Sequence, residues 1–225
     1  DLKKFKFDEK LALNFRHSRP WLKNRPLLVY AGTFGKVNDL SYAIRLAIEL
    51  KKQKSEIRIL LIGDGFEGDQ LIKEAKKYNV YEKNLFFEKP MPKKDMPACL
   101  SAANITANFV INVRENWANS ANKFFDGLAA GKPIFLNHGG WMQDLVKKNG
   151  CGLCMHGKNM EEVAKELDLA ITNNTWLESA GKVSKNLAKK FFDRNIHSDQ
   201  LETVLTLTIN NKLNLVNEVT KNFFK

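Results

Sequence analysis

The sequence predicts an open α/β sheet of about six parallel strands, doubly wound with helices on both faces. Three observations predict it. Short apolar runs recur between residues 27 and 155. Each run is continuous rather than alternating, the pattern of strands buried on both faces. Each is followed by a stretch with helical spacing, and strand–helix repetition pairs strands in parallel through right-handed crossovers.

Residues 1–26 are charged and irregular, and "RPWLKNRP" carries two prolines. This segment reads as a linker or an arm lying over the domain. "LLVYAG" (27–32) is the first strand, ending in glycine, and "DLSYAIRLAIELKK" (39–52) follows with Leu40, Ile44, Ala47, Ile48 and Leu50 at helical spacing. "IRILLIG" (57–63) and "DQLIKEAKKYN" (69–79) repeat the pair, as do "NLFFE" (84–88) and "DMPACLSAAN" (95–104). "ANFVINV" (107–113) is the fourth strand, and "SANKFFDGLAAGKP" (120–133) holds the helix after it. "PIFLN" (133–137) leads into "GWMQDLVKKN" (140–149), and "CGLCM" (151–155) into "MEEVAKELDLAI" (160–171). Residues 174–225 read as further helices, and the final "NKLNLVNEVTKNFFK" as an amphipathic helix or a frayed tail.

With 225 residues, 44% of them hydrophobic, the chain can bury a sizeable core. Cys99, Cys151 and Cys154 are too few for a disulfide framework and suit a reduced, cytoplasmic protein. "CGLC" lacks a second ligand pair for a structural zinc, and His17, His138, His156 and His197 are scattered, so the cysteines read as small buried hydrophobes. A net charge of +11 favours anionic partners. The lysine pairs are spread along the whole chain, and no basic block with interleaved aromatics marks a nucleic-acid binder. No apolar run is long enough to span a bilayer. The chain begins at Asp1, and we expect a piece of a longer protein.

In open parallel sheets the ligand lies outside the carboxyl ends of the strands. The loops there are "GTFGKVN" (32–38), "GDGFEG" (63–68), "EKPMPKKD" (88–95), "RENWANSANK" (114–123) and "NHGGW" (137–141). Glycine lets backbone approach a ligand closely and lysine neutralises phosphate. "GDGFEG" has dinucleotide-type glycine spacing, but Asp64 and Glu67 would repel a pyrophosphate. A tight turn touching a base fits it better.

The stretch 120–133 is the most informative. A helix over about 121–130 has Asn119 or Ser120 as N-cap and Gly131 as its stop. Phe124, Phe125, Leu128 and Ala129 form its buried stripe. Asn122 and Asp126, four apart, share another face that we expect toward the cleft. The helix N-terminus attracts an anion, and Lys123 adds a full charge there. Asp126, one turn deeper, offers a carboxylate able to accept from two vicinal hydroxyls of a ribose. The stretch reads as a phosphate–ribose clamp; the alternative is a solvated Asp and Lys on an amphipathic helix.

"LLVYAGTFGKVNDL", "LLIGDGFEGDQL" and "NKFFDGLAAGKPI" followed by "NHGGWMQDLV" resemble, in order and spacing, the donor-binding half of retaining GT-B glycosyltransferases. That large family is called GT4 or group 1, and the bacterial members that build surface glycans are the most similar. The resemblance covers about residues 27–195 and implies a Rossmann-like domain. It implies a linker over 1–26, C-terminal helices over 196–225, and an acceptor-binding N-terminal domain absent from this chain. It implies transfer of a hexosyl-type group from a UDP sugar to a glycan or lipid-linked acceptor for polysaccharide biosynthesis, with no metal and no further cofactor. The enzyme would be cytoplasmic, with peripheral contact to the inner face of the membrane, and the fragment alone inactive.

Residue by residue, the resemblance places Asp126 at the second acid of an E-x7-E pair, on the ribose. The first acid falls on Ala118, so the pair is broken; Glu115 or Asn116 is the substitute, and Glu115 is the one candidate for a catalytic role. A first-loop Arg falls near Thr33, with Lys36 as its replacement, and the acid of G-G-x-x-E reads as Gln143. Ser120, Ala121, Asn122 and Lys123 are expected on the diphosphate. Gly32, Thr33, Gly35 and Lys36 are expected beside it, and Lys89, Pro90 and Met91 along the base near Gly63 and Asp64. Two alternatives stand beside this reading. One is a nucleotide-sugar-binding or scaffolding module without catalysis, which Ala118 favours; the other is a nucleotide-sugar epimerase of the same two-domain fold.

Overall fold

The computed structural model describes Leu2 and residues 4–221. The chain begins with a helix, α1 (Glu9–His17), where the sequence reads as irregular. Asp8 caps it by accepting from the Leu11 N–H at 2.9 Å, and Ala12 and Phe15 bury their side chains against Ala102 and Ala103. The rest of the arm is fastened rather than loose. Arg16 donates to Ala102 O and Asn104 Oδ1, Arg19 forms a two-pronged pair with Glu88, and Trp21 stacks on Phe86 at 3.8 Å.

Strands and helices then alternate as β1 (Leu27–Ala31), α2 (Ser41–Lys52), β2 (Arg58–Ile62), α3 (Gly68–Lys77), β3 (Leu85–Glu88) and α4 (Met96–Ala102). They continue as β4 (Ile105–Asn108), α5 (Asn122–Ala129), β5 (Ile134–Leu136), α6 (Trp141–Asn149), β6 (Gly152–Cys154) and α7 (Met160–Ile171). All six strands are parallel, in the spatial order β3-β2-β1-β4-β5-β6. β1 therefore starts two runs that grow in opposite directions, and the boundary between β1 and β4 is the switch point.

The unbroken apolar runs serve two cores at once. Leu28, Tyr30, Ile59 and Leu61 face α2, α3 and α7, while Val29, Leu60, Ile62 and Phe86 face α1 and α4. Ile134 and Leu136 complete a third cluster with Phe124 and Leu128 of α5 and Met142 of α6. Cys99 and Cys151 are buried thiols in these layers, and burial pushes Cys99 up to about 12. Cys154, on the edge strand, is pushed up to about 11 for the same reason.

β4 ends earlier than its apolar run suggests. Phe109 and Val110 are fully buried, but the Val110 N–H donates to Asn137 Oδ1 and the Ile111 N–H to Val37 O, both in loops. The run stays apolar because it is buried, not because it is strand.

α5 also starts later than expected: Ala121, not Asn119 or Ser120, is the N-cap. The Trp141 indole N–H donates to Asn119 O, which pins the chain outside the helix at that point. At the other end Gly131 has φ +66°, and its N–H and that of Lys132 donate to Leu128 O and Gly127 O. This reverse-turn pair satisfies two otherwise free carbonyls. Phe124, Leu128 and Ala129 are buried as expected, but Phe125 is only half-buried, lying against Trp141 and Phe192.

After α7, α8 (Asn174–Phe191) packs along α5. α9 (Arg194–Ile209) buries none of its own residues and pairs with α10 (Leu213–Lys221). The helical alternative for the last segment therefore holds through Lys221, and residues 222–225 lie outside the described residues.

Candidate functional site: a crevice at the strand switch point

A crevice of about 370 Å³ opens over the carboxyl ends of β1 and β4. Its rim is Gly32 and Thr33 after β1, Gly63 and Asp64 after β2, and Pro90 and Met91 after β3. Asn122, Lys123 and Asp126, from the first turns of α5, form the facing wall. Val29, Met96 and Leu100 make an apolar floor, into which Thr106 brings a buried hydroxyl with no hydrogen-bond partner among the described residues.

α5 reaches this position because Gly127 lets it lie against β4. A Cβ there would stand 2.4 Å from Thr106 Oγ1. No side chain caps the N-terminus of α5; the Phe124 N–H donates to Ala121 O, and the Asn122 and Lys123 amides ahead of it have no backbone partner among the described residues.

Lys123 is half-buried. Its Nζ donates to Asn38 Oδ1 at 3.1 Å and lies 5.0 Å from the centre of the Tyr30 ring. Burial pulls the ammonium down to about 8, and no carboxylate pairs with it among the described residues. Asn38 Nδ2 and the Tyr30 hydroxyl both donate to Thr33 O, so the first loop and the lysine are held by one network. Asp126 is also half-buried, and desolvation raises its carboxyl above the usual range, offset by the charges of Lys93, Arg194 and Lys4. Among the described residues it makes no hydrogen bond or close ion pair.

The glycines of "GDGFEG" serve a different task from ligand approach. Gly63 has φ +154°, and a Cβ on it would lie 1.9 Å from Gly32 O; one on Gly65 would lie 2.4 Å from Phe34 O. The Phe34 N–H donates to Asp64 O and the Glu67 N–H to Phe34 O. Those glycines let the second loop clamp the first, which fixes the crevice rim.

Other residues expected in the site stand apart from it. Gly35 has open space around a would-be Cβ, with its nearest neighbour 3.8 Å away, so no close approach requires glycine there. Lys36 opens an exposed 3-10 turn, and Lys89 and Ser120 are exposed outside the crevice. Ala121 turns toward the core cluster of α5 and α6. Glu115, Asn116 and Ala118 belong to a second 3-10 turn, Arg114–Ala118, and none lines the crevice. Sequence reasoning missed Asn38, Tyr30, Thr106 and the α4 floor. Asn38 lies at the end of the loop 32–38, but only its distance to Lys123, 85 residues on, reveals its part.

Residues 13–190 match the family model described as "Glycosyl transferases group 1". Among solved structures, HepE of Anabaena in complex with UDP and glucose superposes with a TM-score of 0.76 at 15% identity, covering 92% of this chain and 54% of that one. Sucrose-phosphate synthase from Thermosynechococcus elongatus gives 0.75 at 16% identity, with 94% and 51% covered. The C-terminal domain of the group 1 glycosyl transferase LpcC from Francisella tularensis gives 0.67 at 15% identity, with 86% and 98% covered. The chain spans 35% to 55% of the length of the first three solved structures it matches. No curated protein matches it in sequence.

Proposed function

This chain belongs to the group 1 glycosyl transferases, and we propose that it is the half of a retaining enzyme that holds a UDP-sugar donor. One observation carries the reading. Lys123 and Asp126 stand in the first two turns of α5, facing a crevice at the strand switch point, and neither makes a salt bridge among the described residues. A nucleoside diphosphate supplies what each lacks. Its phosphates complete the Lys123 ammonium and the free amides of α5, and its ribose diol gives Asp126 two donors. The base then lies along Pro90 and Met91 over the apolar floor.

In sugar transfer the bond from the anomeric carbon to the diphosphate oxygen breaks, and negative charge gathers on the leaving group. A desolvated ammonium and a helix N-terminus placed there in advance stabilise that charge. HepE, of the same fold, is seen with UDP and glucose, which supports a UDP donor. Residues 27–195 would be the donor domain, with 1–26 entering from an N-terminal acceptor half and 196–225 closing the chain. The acceptor would be a glycan or lipid-linked saccharide at the cytoplasmic face of the membrane. No helix among the described residues is long and apolar enough to cross a membrane.

Calorimetry with UDP tests the reading. Asp126→Ala should weaken UDP binding by about 1–3 kcal/mol, the cost of losing charge-assisted hydrogen bonds. Unchanged affinity in a folded variant would remove the ribose role. The purified chain should bind UDP without transferring sugar. A second reading, a binding module without catalysis, is favoured by the exposed Ala118 where the family carries an acid. Sugar transfer upon joining the chain to its acceptor half would exclude it.

A further inference from the structure

In a parallel sheet every strand begins on one rim, and every returning helix ends there. The segments on that rim (23–26, 51–58, 76–84, 103–104, 130–133 and 147–151) carry twelve Lys and Arg against two Glu. The loops on the opposite rim, around the crevice (32–40, 63–67, 89–95, 109–121, 137–140 and 155–159), carry six against five. Nearly all of the chain's surplus charge therefore sits on the rim away from the crevice. Helix dipoles favour cations in last turns and account for the pairs at 51–52, 76–77 and 147–148. They do not account for the other six, which lie in loops or strand starts.

From this separation we infer that the amino-terminal rim of the sheet docks on an anionic lipid leaflet. Nine of its twelve cations are exposed. Six strands at ~4.8 Å spacing give a front roughly 24 Å wide rather than a groove. Ten of the twelve are lysine, suited to diffuse attraction by lipid phosphates. The rim also has a seat for a single headgroup phosphate. Lys51, Lys54, Arg58 and Lys83 surround a cleft of about 410 Å³ whose one acid, Glu56, is shared between Arg25 and Arg58 and leaves the three lysines without a carboxylate of the cleft to themselves. Arg58 Nη1 donates to Glu56 O at 3.0 Å while its Nε is buried without an acceptor among the described residues, and Lys51 is braced by Asn79 O at 2.6 Å. Tyr78, 47% exposed, stands beside Lys77 on the same rim, an amphipathic ring of the kind that settles among headgroups. It is the one exposed large aromatic on these segments, which gives a nucleic acid no series of stacking platforms. The inference stands on charge placement and does not need the nucleotide reading.

The test is co-sedimentation of the chain with phosphatidylcholine vesicles, with and without phosphatidylglycerol, at low and high salt. Binding is expected only to the anionic vesicles and should be lost at high salt. Lys54→Gln/Lys77→Gln/Lys83→Gln should weaken it on the order of a hundredfold. Lys93→Gln/Lys94→Gln/Arg114→Gln, which removes the same charge from the crevice rim, should change it little. If the first triple variant melts early, Lys54→Arg/Lys77→Arg/Lys83→Arg keeps the charge and should bind as the parent does. Equal binding to neutral vesicles, equal loss in both glutamine variants, or capture of single-stranded RNA without vesicle binding would each overturn the inference.

Discussion

The two rims of this sheet are built from the same six strands and the helices between them yet handle charge in opposite ways. The crevice rim has nearly balanced charge and relies on one desolvated ammonium, Lys123, held by Asn38 and Tyr30. The other rim has twelve cations, nine of them exposed, and those that are tethered, as Lys51 is to Asn79 O and Arg25 and Arg58 are to Glu56, are spread along its front rather than gathered on one point. A buried charge without a partner is costly and therefore selective for an anion of the right shape. Many exposed charges each contribute little, and act together on any extended anionic surface. Net charge alone does not distinguish these two uses.

The largest expected effect breaks the crevice rim itself. Gly63→Ala places a Cβ 1.9 Å from Gly32 O on a backbone with φ +154°, so it should destabilise the fold by about 3 kcal/mol or more. Urea unfolding measures it, and a loss under about 1 kcal/mol would show that the two loops part easily.

The next effect separates binding from stability at Lys123. Lys123→Met removes a desolvated charge that makes no salt bridge among the described residues, so folding should be unchanged or improved while UDP affinity falls by about 2 kcal/mol. The pH dependence has opposite signs for the two properties. Folding holds this lysine at about 8, below its unfolded value, so the unfolded chain binds more protons between the two, and stability from this group rises with pH across that window. A diphosphate prefers the charged form, so UDP affinity should fall as pH rises above about 8. Calorimetry along a pH series shows whether Lys123→Met abolishes that fall.

The smallest effect belongs to the basic rim. Lys77→Gln and Lys83→Gln each should alter folding stability by no more than about 0.5 kcal/mol and leave UDP affinity untouched. Thermal melting and calorimetry check both. A larger change would mean that those cations are structural and that the rims differ less than their charges suggest.

Much of this was legible from local patterning. The apolar runs placed five of the six strands within about two residues, because a strand buried on both faces must be apolar throughout. The fourth run misled, since burial of Phe109 and Val110 in a loop looks the same as burial in a strand. In α5, the stop at Gly131 followed from glycine's place just past a helix end, and the shared face of Asn122 and Asp126 from helical periodicity. The N-cap did not, because the hydrogen bond from Trp141 to Asn119 arrives from another element.

By itself the sequence determined the layering: which segments alternate, which faces are apolar, and which helix end carries the ammonium and the carboxylate. Those features repeat within a few residues and need no distant partner. The tertiary structure alone decided that "GDGFEG" clamps the first loop, that Asn38 braces Lys123, and that three scattered lysine pairs meet on one rim. Desolvation and clustering of charge are sums over elements far apart in the chain, and only the parallel winding of the sheet brings those elements together.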